Sequence, residues 1–171
     1  MHIISGKYKR RRLMFPVDQL FRPTKARVKE AVFSMIGPRI EGARFCDICA
    51  GTGAIGLEAE SRGAARVVCV DLNVFWCQKN ADALGASIEI VKSDMIRYLN
   101  KQPLNAFDII YLDPVWADIE GYNQAIDIIV HRNILAPGGA LYIEHEKRLV
   151  LSRHVDKVST YGASYISVIY I

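Results

Sequence analysis

From Arg44 onward, short β-branched apolar runs alternate with amphipathic stretches, and this alternation constrains the fold more than any other feature of the chain. Phe45–Cys49, Arg66–Asp71, Ser87–Lys92, Phe107–Asp113 and Ala140–His145 read as strands whose apolar character is almost continuous. Strands buried on both faces have that composition, because helices cover a parallel sheet above and below. The intervening segments, Gly53–Arg62, Asn73–Leu84, Asp94–Asn100 and Gly121–Val130, read as helices. Strand, helix, strand at this spacing implies right-handed βαβ units and a doubly wound, mostly parallel α/β sheet. The 171 residues, 51% of them hydrophobic, suffice for one core and leave little room for a second. One domain over 1–171 is expected, with a basic N-terminal arm at about 1–23.

The two ends of the chain depart from the alternation. His154–Thr160 and Ser164–Ile171 read as strands around a Tyr161-Gly162 turn with no helix between them, so a hairpin should place one antiparallel strand in the sheet. Thr24–Ile36 reads as a helix capped by Thr24, with Val28, Ala31, Val32, Met35 and Ile36 on its apolar face. Met1–Ser5 and Leu13–Phe15 can form a small hairpin around the basic Lys-Tyr-Lys-Arg-Arg-Arg turn. Residues 1–45 hold eleven Lys and Arg against three Asp and Glu, a balance of +8, while the remainder is at −4. A basic front on an acidic body suits a polyanion, although a solvated run of charge has the same composition. Lys7, Lys9, Arg10, Arg11 and Arg12 are the candidate electrostatic footprint, with Arg22 and Arg27 nearer a bound base.

Asp47 to Gly56, with the sequence Asp-Ile-Cys-Ala-Gly-Thr-Gly-Ala-Ile-Gly, passes from the first strand into a helix. Ala50, Gly51, Gly53 and Gly56 form a loop that a ligand can approach closely, with free N–H groups at the helix start. The glycine spacing alone serves NAD and S-adenosylmethionine equally. The acids tilt the choice toward S-adenosylmethionine. Asp47 sits where a carboxylate would repel a pyrophosphate but could hold an ammonium, directly or through water. Asp71, twenty residues past Gly51, can accept both ribose hydroxyls, with Leu72 beside it. Asp94 can accept an adenine amino group with Met95 packed on the ring, or it can simply cap a helix.

Asp113-Pro114-Val115-Trp116 follows the fourth apolar run, at the end of a strand that should open into the ligand crevice. Asp113 and the Pro114 carbonyl can accept the two N–H bonds of an exocyclic amine, while Trp116 stacks on the ring that carries it. A turn with a tryptophan plugging the core is the plainer alternative. Cys46 and Cys49 have C-x-x-C spacing, but along a strand, so buried small hydrophobes are expected there instead of redox chemistry. The four histidines lack metal-ligand spacing, and no metal is expected.

Taken together, these motifs resemble the RsmD family, methyltransferases that modify the N2 amine of a guanine in small-subunit (16S) ribosomal RNA. The resemblance runs through Ile3–Lys7, Arg22-Pro23-Thr24, Arg27–Glu30, Asp47–Gly56, Gly56–Ala59, Ser61–Ala64 and the Asp113-Pro114 tetrapeptide. It implies a Rossmann-like class I methyltransferase fold, S-adenosylmethionine as cofactor and ribosomal RNA or the small subunit as partner. It also implies that Arg22–Arg27 lies near the cleft. The family tetrapeptide resembles Asp-Pro-Pro-aromatic, whereas this chain has Val115 in place of the second proline and Trp116 as the aromatic residue. Valine restores an N–H and frees φ, which loosens the loop.

Two rival readings use the same residues: a methyltransferase for another planar amine, such as adenine N6 or a protein amide, and a non-catalytic RNA-binding assembly factor. A monomer in the cytoplasm is expected, with no membrane contact. No run approaches the ~20 apolar residues of a membrane span, and the first residues lack the pattern of a secretion signal.

Overall fold

A computed structural model describes residues 1–16, 26–114, 118–146, 151 and 153–171. Arg22, Thr24, Val115 and Trp116 lie outside the described residues. The elements are α1 (Ala26–Ile36), a 3-10 turn (Gly37–Ile40), β1 (Arg44–Ile48), α2 (Ala54–Ser61), β2 (Arg66–Asp71), α3 (Phe75–Leu84), β3 (Glu89–Lys92), α4 (Met95–Leu99), β4 (Phe107–Leu112), α5 (Ile119–His131), β5 (Leu135–Glu146), β6 (Lys157–Tyr161) and β7 (Ser164–Tyr170). The strands form one seven-stranded sheet in the order β3-β2-β1-β4-β5-β7-β6. β1 to β5 run parallel, and β7 is antiparallel to both β5 and β6.

Both faces of the sheet are covered. On one, Val28, Val32, Phe33 and Ile36 of α1 and Ile55 and Ala59 of α2 pack against Phe45, Ile109, Tyr111, Tyr142 and Ile166. On the other, Tyr98 and Leu99 of α4 and Tyr122, Ala125, Ile126 and Ile129 of α5 pack against Ile48, Val70, Ile110, Leu112 and Ile143. The strand runs look almost continuously apolar because each successive side chain meets a helix.

β5 is longer than the sequence suggests. Ala136-Pro137-Gly138-Gly139 has the composition of a turn, yet it belongs to the strand. The register against β4 shifts between Phe107 and Ile109 to absorb it. Gly138 N–H donates to Ile171 O at 2.9 Å and Ile171 N–H to Gly139 O at 3.0 Å, so the end of the chain satisfies this irregular stretch.

The described part of the N-terminal arm, residues 1–16, is docked on the helices. A tight hairpin with a His2–Arg12 bridge runs over α2 and α3. Ile4 and Ser5 donate their N–H groups to Glu58 at 2.8 and 2.9 Å, and Lys7 and Tyr8 donate theirs to Ser61. Met14 N–H bonds Asn80 Oδ1 at 2.7 Å. Beneath the hairpin, Lys29 Nζ meets Glu58 Oε2 at 3.0 Å with neither side chain exposed, and it also donates to His2 O at 2.7 Å. That ion pair joins α1, α2 and the first residues of the chain.

Candidate active site

The strand order reverses between β1 and β4, because α2 and α3 carry the chain one way across the sheet and α4 and α5 bring it back. Side chains beyond the carboxyl ends of these two strands therefore border a crevice. The glycine loop closes one side. Asp113 stands on the other, its N–H donating to Ile48 O at 3.2 Å, which ties the end of β4 to the end of β1.

The loop is held by carboxylates. Asp71 Oδ2 accepts the Gly51 N–H at 2.8 Å, and Oδ1 accepts the Asn73 N–H at 2.9 Å. Each oxygen retains a lone pair, so Asp71 can organise the loop and still accept ribose hydroxyls. Leu72, 66% exposed, offers an apolar surface beside it. Gly53 caps α2 at φ 73°, and a Cβ there would lie 2.6 Å from Cys77 Sγ. A Cβ on Gly56 would lie 2.2 Å from Cys69 Sγ, so the third glycine is what lets α2 sit directly on the sheet. Ala50 continues the loop, its N–H bonding Val70 O at 3.0 Å and its carbonyl accepting from Gly53 N–H at 2.8 Å.

Asp47 lies beneath the glycine loop. It is 2% exposed, and its Oδ2 accepts the Gly56 N–H at 2.8 Å from beneath the loop. Burial pushes its carboxyl up to about 7; the Gly56 N–H opposes this and the Asp71 carboxylate adds to it. Asp47 thereby orients the start of α2. Asp94 caps α4 through the Arg97 N–H at 3.0 Å, as the plainer alternative had it, and leaves its second oxygen for a ligand. Met95 is 9% exposed and belongs to the core, with its sulfur 3.8 Å from Cys49 Sγ.

Cys49 marks the centre of the site. It adopts φ 65°, a left-handed conformation unusual for a side-chain-bearing residue. Burial pushes its thiol up, and the carboxylates of Asp71, Asp113, Asp47 and Asp94 push it further. Carboxylates from four separate stretches of sequence thus act on one thiol.

Pro114 is buried, and its carbonyl already accepts the hydroxyl of Tyr122 at 3.0 Å. The same hydroxyl lies 2.8 Å from Glu144 O. Sequence reasoning missed Tyr122, whose spacing in α5 marks only an apolar face. It also passed over the Lys29–Glu58 pair, signalled by charges inside otherwise apolar helix faces.

The basic residues divide into two places. Lys7 pairs with Glu60 at 2.5 Å and lies over the Tyr8 ring, and Arg11 donates to Ala83 O at 2.8 Å. Lys9, Arg10 and Arg12 are exposed. The turn they form sits at the C-terminal ends of α2 and α3, near Ser61 and Gly85. The glycine loop is at the opposite end of α2, about 12 Å away over eight residues. Arg27 is exposed in the first turn of α1. Among the described residues no cluster of His, Cys, Asp or Glu suits a metal ion, and no helix is long and apolar enough to cross a membrane.

Residues 1–168 match the family model described as Conserved hypothetical protein 95. Ribosomal RNA small subunit methyltransferase D of Haemophilus influenzae is 34% identical over 155 residues, which cover 86% of this chain and 79% of that protein. The structure of yhhF from Escherichia coli superposes with a TM-score of 0.83 at 27% identity, covering 99% of this chain and 97% of that one. A T. thermophilus 16S rRNA N2 G1207 methyltransferase, RsmC, solved with AdoMet and guanosine, shares the fold at a TM-score of 0.73 and 21% identity. The match covers 89% of this chain and 44% of RsmC.

Proposed function

The chain belongs to the ribosomal RNA small subunit methyltransferase D family, and from that premise we propose that it methylates the exocyclic N2 amine of a guanine in 16S ribosomal RNA. It is an S-adenosylmethionine-dependent rRNA methyltransferase; the guanine and its N2 atom are the finer reading. The observation that supports this reading is the tie between Asp113 N–H and Ile48 O, which joins the Asp113-Pro114 end of β4 to the end of β1, where the glycine loop begins. The residues around the crevice fit the cofactor: Asp71 and Asp94 each keep a free acceptor site, and Leu72 presents exposed apolar surface next to Asp71.

S-adenosylmethionine, when bound, supplies a methyl group already activated by its sulfonium. The protein's part is chiefly positioning. A guanine in stacked RNA cannot bring N2 to the crevice, so the base is flipped in at a cost of a few kcal/mol. Trp116 stacks on the flipped ring and returns about 1–3 kcal/mol of that cost. Asp113 and the Pro114 carbonyl accept the two N–H bonds and turn the nitrogen lone pair, otherwise delocalised into the ring, toward the methyl. As nitrogen gains positive charge, the Asp113 carboxylate stabilises it more than it stabilises the neutral amine, and it is placed to take the departing proton. Arg27 and Arg22 grip phosphates beside the flipped base, while Lys9, Arg10 and Arg12 grip a separate stretch of RNA at the far end of α2.

The test is transfer of labelled methyl from S-adenosylmethionine to unmethylated small subunits, followed by digestion to nucleosides. Label in N2-methylguanosine, lost sharply in Asp113→Asn while cofactor affinity stays within about twofold, supports the proposal. Label on adenosine or on protein, or none, refutes it.

A further inference from the structure

Tyr122 lies in the first turns of α5 with no exposed surface. Its hydroxyl is 3.0 Å from Pro114 O and 2.8 Å from Glu144 O, two carbonyls on neighbouring parts of the sheet. A phenol carries one proton, so the two carbonyls share it. Burial, with the Asp113 and Glu144 carboxylates adding, pushes its ionisation far up, and the proton stays on the hydroxyl.

The β4–β5 ladder ends at Leu112 and Ile143. Asp113 is anchored through its N–H to Ile48 on the β1 side. Pro114 has no N–H, and its carbonyl is the one backbone group it can offer. Tyr122 takes hold of that group from the β5 side. In this chain the following residue is Val115, which leaves φ free where a second proline would fix it. The hydroxyl thus supplies from behind the restraint that a second ring would supply within the chain.

We propose that Tyr122 is a positioning residue for the amine that receives the methyl group. Its hydroxyl aims the Pro114 carbonyl into the crevice. As an amine N–H arrives at that oxygen, the shared proton moves over to Glu144 O, so the carbonyl is released without leaving either oxygen unpaired. This rests on the reading of Asp113-Pro114 as the amine grip.

Tyr122→Phe keeps the ring and removes the hydroxyl. In single-turnover methylation of unmethylated small subunits, its rate should fall about three- to tenfold, the equivalent of one neutral hydrogen bond. RNA KM and cofactor Kd by calorimetry should stay within about twofold. Adding Val115→Pro to Tyr122→Phe should recover most of the lost rate, which a side chain that merely fills space would not allow. All rates are taken at a temperature where melting curves show each protein folded. An unchanged rate, a fall matched by an equal loss of cofactor affinity, or no recovery with Val115→Pro overturns the positioning role. A wild-type protein that leaves guanine unmethylated overturns instead the function on which the proposal rests.

Discussion

Replacing Glu58 with alanine removes the carboxylate on which the N-terminal half of the molecule converges. In the wild type it accepts Ile4 N–H at 2.8 Å, Ser5 N–H at 2.9 Å, Lys29 Nζ at 3.0 Å and Arg62 Nε at 2.8 Å. Arg62 is partly exposed and can turn to water, and the two amides can be hydrated if the hairpin lifts. Lys29 has no such exit. Its side chain is fully buried, and without Glu58 it retains the His2 carbonyl at 2.7 Å. Removing one partner of a buried pair costs about 3–5 kcal/mol, a large part of the ~5–15 kcal/mol that holds a domain folded. With a urea slope near 2 kcal/mol per molar, the midpoint should drop by about 1.5–2.5 M.

The sign of the pH effect follows from the lysine. Burial already lowers Lys29 below its ordinary value of 10.5, Glu58 opposing it, and losing Glu58 lowers it further. The folded variant then binds fewer protons than the unfolded chain, so its stability rises as pH approaches the unfolded pKa. The deficit of Glu58→Ala should therefore shrink between pH 7 and pH 10. Lys29→Met, which removes the buried charge and leaves Glu58 with Arg62 and both amides, should cost less. A Glu58→Ala protein within about 1 kcal/mol of wild type, or a deficit independent of pH, would refute the reasoning.

Asp71→Ala should weaken S-adenosylmethionine binding by roughly 10- to 150-fold in calorimetry, the loss of one charge-assisted bond of ~1.5–3 kcal/mol; unchanged affinity would take Asp71 out of the cofactor site. Asp47, held near 7 against an ordinary 3.8, favours the folded state at low pH, and that contribution is lost as pH rises through about 7. Urea titrations at pH 5 and pH 8 should show wild type losing ground to Asp47→Asn, and equal shifts in both proteins would argue against a buried proton. Replacing Arg10, Arg11 and Arg12 with alanine should flatten the salt dependence of RNA binding by about 1.4 log units at ~0.7 per phosphate contact, since Arg11 is engaged with Ala83 O. Arg11→Ala alone should leave the slope unchanged, and a full-sized change from that single variant would contradict the assignment.

Alternation of apolar runs located β1 to β5, because burial between two helix layers leaves a compositional mark that no tertiary contact is needed to read, and the turn at Tyr161-Gly162 marked β6 and β7. The stretch Ala136–Gly139 escaped it, since Pro-Gly-Gly looks like punctuation until the end of the chain supplies its hydrogen bonds. The acids of the crevice were legible one at a time, each at the end of a strand or helix. Their partners were not. Whether Asp47 faces a ligand or the Gly56 N–H depends on how closely α2 lies on the sheet, which Gly56 and Cys69 decide together. Tyr122 was equally out of reach: eight residues separate it from Pro114 and twenty-two from Glu144, and only the sheet order makes the three adjacent. The charge of the basic turn was legible, whereas the pairing of Lys7 with Glu60 and of Arg11 with Ala83 O was not.

A consequence for binding follows from where those partners are. Asp71 and Asp94 each spend part of their hydrogen-bonding capacity on backbone N–H groups of the crevice itself. The loops they hold are therefore formed before any ligand arrives, and little ordering entropy is left to oppose binding. A carboxylate oxygen has two acceptor sites, so a ribose hydroxyl or an adenine amine adds a bond without displacing one. The chain thus uses one functional group twice, first to shape the pocket and then to fill it. Asparagine at either position retains one acceptor oxygen, enough for the backbone or for the ligand but with no charge for either. For that reason Asp→Asn should separate shape from affinity at these sites more cleanly than alanine, which removes both.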